Sequence, residues 1–241
     1  MRRATLSLAL LTIFVAGAGS ASAGGFDVRV GGFFPRGDLN TSLFSDLNDL
    51  YTPNASESRG VKGSDFNAVF GGVEYNTPLA QYLEVGFSID GLSRKLDTSY
   101  RHYERPGGGE VRQTLKLEMM PIGATIRLIP TSKRTRIAPY LGGGIDAVYY
   151  KYEEYGDFID FGDPTYPIQS DAFRSEGVAF GVHAVAGVRV YLNRDIAIVG
   201  EGRYQWAQKD MADDFAPNAS GLVNRIDLTG PSVTIGVHVR F

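Results

Sequence analysis

The sequence predicts an all-β chain closed into an antiparallel, membrane-spanning barrel of eight strands, and three observations carry that prediction. Segments along the chain alternate apolar and polar residues, the period of a strand with one apolar and one polar face. The connections between these segments alternate long and short from one end of the chain to the other. The final segment, Pro231 to Phe241, sets Val233, Ile235, Val237, Val239 and Phe241 against Ser232, Thr234, Gly236, His238 and Arg240 and finishes on an aromatic ring.

The N-terminal stretch predicts export. Arg2 and Arg3 form a short basic region, Leu6 to Ala18 is nearly all apolar, and Ala21-Ser22-Ala23 has the small-x-small pattern of a secretory cleavage site. Residues 1–23 are therefore expected to be a signal peptide cut before Gly24, leaving a barrel domain over 24–241. The apolar run falls short of the roughly 20 residues that a spanning helix needs. With no cysteine in the chain, neither a lipid anchor nor a disulfide is expected. Loss of Arg2 and Arg3 moves the net charge from −3 to −5, an acidic balance that argues against nucleic acid as a partner. The 30 Gly, 14 Phe and 13 Tyr suit a narrow barrel, where small residues make room inside and aromatic ones mark the membrane interfaces.

Taken in order, the first strand is Phe26 to Phe34, with Phe26, Val28 and Val30 opposite Asp27 and Arg29. The second runs from about Phe66 to Tyr75, with Val69, Val73 and Tyr75 outward. The turn Asn76-Thr77-Pro78-Leu79 leads to the third, where Leu83, Val85, Phe87 and Ile89 alternate with Glu84, Gly86, Ser88 and Asp90. The fourth, Leu115 to Leu128, changes its apolar parity halfway, which predicts one extra, bulged residue at Met120-Pro121, since proline cannot donate to a ladder. The fifth is Ile137 to Tyr149. The sixth, Val178 to Leu192, sets Phe180, Val182, Ala184, Ala186, Val188 and Val190 against Gly181, His183, Gly187 and Arg189. The seventh is Ile196 to Trp206, and the C-terminal strand is the eighth. Helical spacing is confined to Leu43-Phe44-x-x-Leu47-x-x-Leu50, read as a short helix inside a loop.

Long connections fall at about Pro35–Asp65, Leu92–Arg112, Tyr152–Gly177 and Ala207–Gly230, and short ones at 76–79, 130–136 and 193–195. Brief turns on one side and extended loops on the other are the pattern of bacterial outer-membrane barrels, with turns and both termini in the periplasm. An even-stranded closed sheet also leaves no edge for lipid to meet.

The chain resembles the outer-membrane β-barrel domain family, the small OmpA-like and opacity-type porin-like barrels. The resemblance rests on Ile137-Ala138-Pro139-Tyr140-Leu141-Gly142-Gly143-Gly144, on Gly181 to Leu192, on Glu201-Gly202-Arg203-Tyr204, and on Leu228 through Phe241, and it covers essentially the whole mature chain. It implies an outer-membrane location and a C-terminal strand, Val233, Ile235, Val237, Val239 and Phe241, read as an insertion signal by the barrel-assembly machinery. Periplasmic chaperones, outer-membrane lipid and lipopolysaccharide are the partners it implies, with a surface-loop partner unspecified. It says little about activity, since the family is functionally mixed. No peptidoglycan-binding domain is expected after Phe241.

The polar faces predict a lumen filled with charge. Asp27, Arg29, Glu84, Asp90, Lys116, Glu118, Arg127, Asp146, His183, Arg189, Glu201, Arg203, His238 and Arg240 all lie on the polar side of their strands in this reading. An eight-stranded barrel is just wide enough for its side chains to fill, so these charges must pair. The expected core of the network is Arg29, Glu84, Lys116, Glu118, Asp146, Arg189, Glu201, Arg203 and Arg240. With three histidines, His102, His183 and His238, and no recognisable nucleophile–base–orienter set, no catalytic residue is assigned, and neither a cofactor nor a metal. The acidic, aromatic loop Glu153 to Asp163 does not have the spacing of an EF-hand; it offers either exposed oxygen ligands or, with Tyr100, Tyr103 and Tyr166, a contact surface. The expected function is a non-enzymatic surface barrel plugged by charge pairs. A narrow channel for ions or small solutes is the alternative, followed by a lipid A-modifying enzyme.

Overall fold

A computed structural model describes residues 24–36, 42–53, 59–131, 135–215 and 224–241; the predicted signal peptide lies outside them. Eight long strands make a closed antiparallel ring: β1 (Gly25–Phe33), β3 (Ala68–Pro78), β4 (Leu83–Glu104), β5 (Glu110–Leu128), β6 (Ile137–Ile159), β7 (Ile168–Tyr191), β8 (Ile196–Asp210) and β10 (Gly230–Arg240). Each pairs with its sequence neighbour in the ring, and β10 closes it by pairing with both β8 and β1, from Gly25↔Arg240 to Phe33↔Ser232. Two short strands lie outside the ring: β2 (Tyr51–Thr52), paired with β4, and β9 (Arg225–Asp227), paired with β8. Helix α1 (Ser42–Leu50) forms where the Leu43/Leu47/Leu50 spacing predicts it and buries Leu43 and Leu47.

The ring has a short-turn end, with connections at 79–82, 129–136 and 192–195, and an excursion end. Two excursions differ from the sequence reading. Residues assigned to loops after Leu92 and Tyr152 continue as paired strand, so that β4 and β5 meet at the turn 105–109 and β6 and β7 at 160–167. Cross-strand hydrogen bonds carry these walls past the membrane, where their inner faces pack on one another.

The bulge expected at Met120-Pro121 is absent. The register with β6 runs unbroken through Met120↔Tyr149, Pro121↔Val148 and Ile122↔Ala147. On the β4 side pairing lapses beside Pro121, which has no N–H to give, yet Ile89↔Ile122 and Leu92↔Met119 keep one register without an offset. The apolar parity changes because the surroundings change. Below this level Ile122, Ile126 and Leu128 face outward; above it Leu115, Leu117 and Met119 face inward and are buried.

Below that level the outer face is a belt of exposed apolar side chains: Val28, Val30, Ile126, Leu141, Ile145, Val182, Ile198, Val233 and Ile235, with Phe180 at 79 % exposure. An apolar surface of this extent encircling a closed sheet is stable only in contact with lipid.

Candidate functional site: the charged lumen

Inside the belt, alternation turns the polar residues of the strands inward, with glycine, alanine and valine between them. Arg29 on β1 lies at the centre. Its Nη1 donates to Glu74 Oε2 and to Glu201 Oε1, both at 2.7 Å, and its Nε and Nη2 grip Asp90 in a two-pronged pair at 3.1 and 2.8 Å. Arg127 on β5 lies nearer the short-turn end. Its Nη2 donates to Glu74 Oε2 at 2.8 Å and Glu201 Oε2 at 2.9 Å, and its Nη1 reaches Glu74 Oε1 and, at 2.6 Å, Asn76 Oδ1. The Tyr140 hydroxyl donates to the same Glu201 carboxylate at 2.8 Å, and both the Arg127 and Arg189 guanidiniums sit over the Tyr140 ring, 5.1 and 5.4 Å from its centre. Arg189 closes the lowest layer, donating to both oxygens of Glu84 at 2.7 and 2.8 Å and pairing with Asp27 at 3.4 Å; Asp27 also holds His238.

Further toward the excursion end, Arg203 pairs with Asp146 and, at 3.5 Å, with Asp90. Four guanidiniums thus face six carboxylates within the belt, and the two imidazoles, His183 and His238, each stand against one of the aspartates. Each of the four guanidiniums has at least two acid partners, and for Arg189 and Arg203 the second contact is the longer one, at 3.4 and 3.5 Å. Glycine makes the space. A Cβ on Gly123 would come within 2.6 Å of Asp146 Oδ1, 2.9 Å of Arg203 Nη2 and 3.0 Å of Ser88 Oγ, and one on Gly86 would collide with Glu74.

His183 is bracketed by Asp146 Oδ2 at 2.7 Å on Nδ1 and Thr125 Oγ1 at 2.9 Å on Nε2, the hydroxyl–imidazole–carboxylate order of a hydrolytic triad. The three residues are 2–3 % exposed, and Arg203 Nη2 stands 2.9 Å from the same Nδ1. All three side chains lie on the buried inner face of the barrel, tied to Arg203 through Asp146.

The sequence-predicted residues divide accordingly. Arg29, Glu84, Asp146, Arg189, Glu201 and Arg203 meet in the lumen. Lys116 and Glu118 do not: they face outward above the belt, where Lys116 pairs with Glu118 at 2.8 Å and Glu153 at 3.4 Å. The assumed bulge had turned them inward, and the regular register turns them out. Arg240 lies at the mouth, outside the network, stacked 4.7 Å from the centre of the Tyr191 ring and donating to its hydroxyl. Tyr191 accordingly points into the mouth. Glu74, Asn76 and Tyr140 are lumen partners that the sequence reading missed. Glu74 was legible, because Val73 and Tyr75 outward leave it inward. Val233, Ile235, Val237 and Val239 face outward on β10, and Phe241, 65 % exposed, donates its backbone N–H to the Gly24 carbonyl at 3.0 Å.

In the 153–163 region the carboxylates diverge. Glu153 faces out toward Lys116 and Lys151, Glu154 faces in, Asp157 meets Arg105, and Asp160 and Asp163 accept backbone N–H groups of their own turns.

Above the charged layers lies a second filling of opposite character. Phe33, Phe70, Leu92, Leu115, Leu117, Met119, Val148, Tyr150, Ala179 and Leu228 form a continuous buried apolar cluster across the barrel, and Leu43, Leu47, Tyr51 and Val61 of the first excursion join it from above.

An apolar outer belt, a closed eight-stranded sheet and a polar interior define an integral membrane β-barrel protein. The chain belongs to the outer membrane protein beta-barrel domain family, which it matches over residues 6–241, and this places it in the bacterial outer membrane. Among solved structures it is similar to the outer membrane protein OprG from Pseudomonas aeruginosa, at 15 % identity and a TM-score of 0.53, with 92 % of this chain and 98 % of that one covered. It is also similar to Neisserial surface protein A, at 14 % identity and a TM-score of 0.49, covering 92 % and 99 %. No curated protein matches the sequence.

Proposed function

We propose that the protein is a non-conducting surface barrel, oriented with its short turns and both termini in the periplasm and its excursions outside the cell. The observation that carries this reading is the pair of stacked fillings. Ion passage would have to cross a layer of paired charges and then a dry layer of Phe, Leu, Met, Val and Tyr side chains, and an eight-stranded ring leaves no third route. The walls that rise above the belt then serve contact at the cell surface, with Tyr103, Phe161 and Tyr166 exposed at their tips.

Planar-bilayer recording of the refolded protein tests this. The wild type is expected to stay closed, and so is Arg203→Ala, because the apolar layer remains. Arg203→Ala combined with Met119→Ala and Tyr150→Ala should open a path. Large, stable, voltage-independent steps from the wild-type monomer would overturn the closed reading in favour of a narrow channel.

Residues 1–23 act, in this reading, as the export signal, and β10 with Phe241 as the mark that periplasmic chaperones and the assembly machinery recognise. Deleting Phe241 should lower the amount assembled in cells severalfold while refolding into detergent proceeds, because the residue is 65 % exposed. Equal outer-membrane yields would remove that role from Phe241.

A further inference from the structure

Every buried carboxylate inside the belt has a guanidinium or an imidazole beside it. Glu154 has neither. It lies on β6 well above the belt, between the outward-facing Glu153 and Tyr155, and points into the upper barrel at 6 % exposure. The hydroxyl of Tyr152 donates to its Oε1 at 2.7 Å, and no lysine, arginine or histidine among the described residues forms an ion pair with it. Tyr51 from β2 and Tyr152 from its own strand hydrogen-bond to it, Tyr100 of β4 and the Asp46 charge of α1 lie within electrostatic reach, and the neutral amide of Gln113 from β5 lies beside Tyr51.

Two of those elements, α1 and β2, form a cap on the excursion end. Tyr51 and Thr52 pair with Tyr100 and Ser99 of β4, and the Tyr51 and Tyr100 rings meet edge-on at 5.1 Å. Val61 donates its N–H to the Tyr51 carbonyl at 3.1 Å, Asn48 Nδ2 donates to the Val61 carbonyl at 3.1 Å, and Arg101 Nη1 reaches the Asn48 carbonyl at 2.9 Å. The cap is thus held to the wall by the apolar packing of Leu43, Leu47, Tyr51 and Val61 and by a hydrogen-bonded, phenol-rich patch with Glu154 at its base.

We propose that Glu154 is a proton-operated latch for this cap: the neutral carboxyl lets α1 and β2 seat on the barrel, and the carboxylate loosens them. An ionised Glu154 has no ion-pair partner among the described residues, and the charge of Asp46, which belongs to the cap itself, opposes its ionisation. Burial, with the Asp46 charge adding to it, pushes the Glu154 carboxyl up to about 7, and the hydrogen bonds from Tyr152 and Tyr51 only partly oppose this. The folded value lies above the ordinary one of 4.5, so the seated cap binds the proton more tightly. The stabilisation is complete below that ordinary value and is lost as the pH rises toward about 7.

Amide hydrogen exchange on the full-length protein in lipid nanodiscs, corrected for the intrinsic pH dependence, reads the latch directly. The opening constant of the β2 and Val61 amides should rise about a hundredfold between about pH 4.5 and pH 8, while amides of β1 and β10 stay unchanged. Glu154→Gln should hold the cap at its acid level across the range. Equal protection at both pH values, or a step that survives in Glu154→Gln, would overturn the latch. Should that variant fail to insert, the side-chain carboxyl carbon of wild-type Glu154 decides by NMR: titration near the ordinary glutamate value counts against the proposal, and titration near neutrality supports it.

Discussion

On β6, Ile145 faces lipid at 65 % exposure and Asp146 is buried in the lumen; a few residues further along the same strand, Tyr150 is buried in the lumen and Lys151 faces out. The even positions point inward from Ala138 to Glu154. What reverses is the chemistry assigned to each face, and β5 reverses at the same level, from Arg127 inward and Ile126 outward to Leu117 inward and Lys116 outward. Inside lipid the outer face must be apolar, so the barrel gathers its charges within and pairs them. Above lipid the outer face meets water, and the same wall packs like a soluble barrel around an apolar core. One sheet thus contains two stability mechanisms, one electrostatic and one hydrophobic, stacked along its axis.

The largest blow to this division should come from the centre of the electrostatic half. Arg29→Met leaves Glu74, Asp90 and Glu201 short of their shared cation, and orphaned buried charge costs about 3–5 kcal/mol. Urea unfolding in lipid vesicles measures it; a loss below about 1 kcal/mol would mean that the lumen is hydrated and the charges are screened. The matching change in the upper half, Leu117→Ala, should cost about 3 kcal/mol through lost packing and a cavity, with no dependence on salt. Next, Ile145→Lys places a charge against the hydrocarbon and should cost about 2–4 kcal/mol. A neutral result there would shift the belt away from this level. The smallest effect belongs to the outer face above the belt. Lys151→Ala breaks a 2.6 Å pair with Glu153 in a water-exposed setting and should change stability by about 0.5 kcal/mol or less. If Lys151→Ala proves as costly as Arg29→Met, the two halves do not differ as described.

Much of the lumen was legible. Period-2 alternation on β1, β4, β7 and β10 assigns Arg29, Asp90, Arg189 and His238 inward from the residues alone, because a strand offers only two faces and the apolar one was unmistakable. The reading failed at Lys116 and Glu118 for a related reason. It held that the apolar face is always the outer face, so when parity changed in β5 it added a bulge to keep that rule. The chain had kept its register and crossed out of the membrane. Glu154 was hidden by the same rule, as one acid in an acidic loop, whereas the wall continues and turns it inward alone.

Alternation, turn spacing and the closing strand by themselves determined an eight-stranded barrel and the face of nearly every residue within its belt, since strand period is local and lipid permits no open edge. Which charges meet was decided by the tertiary structure. Arg29 reaches Glu201 across 172 positions of sequence only because β10 carries β8 round to β1, and Tyr140 joins them because the ring sets it under two guanidiniums. The height at which water replaces lipid was likewise settled by the closed wall, because an apolar residue facing inward looks the same in sequence as one facing out.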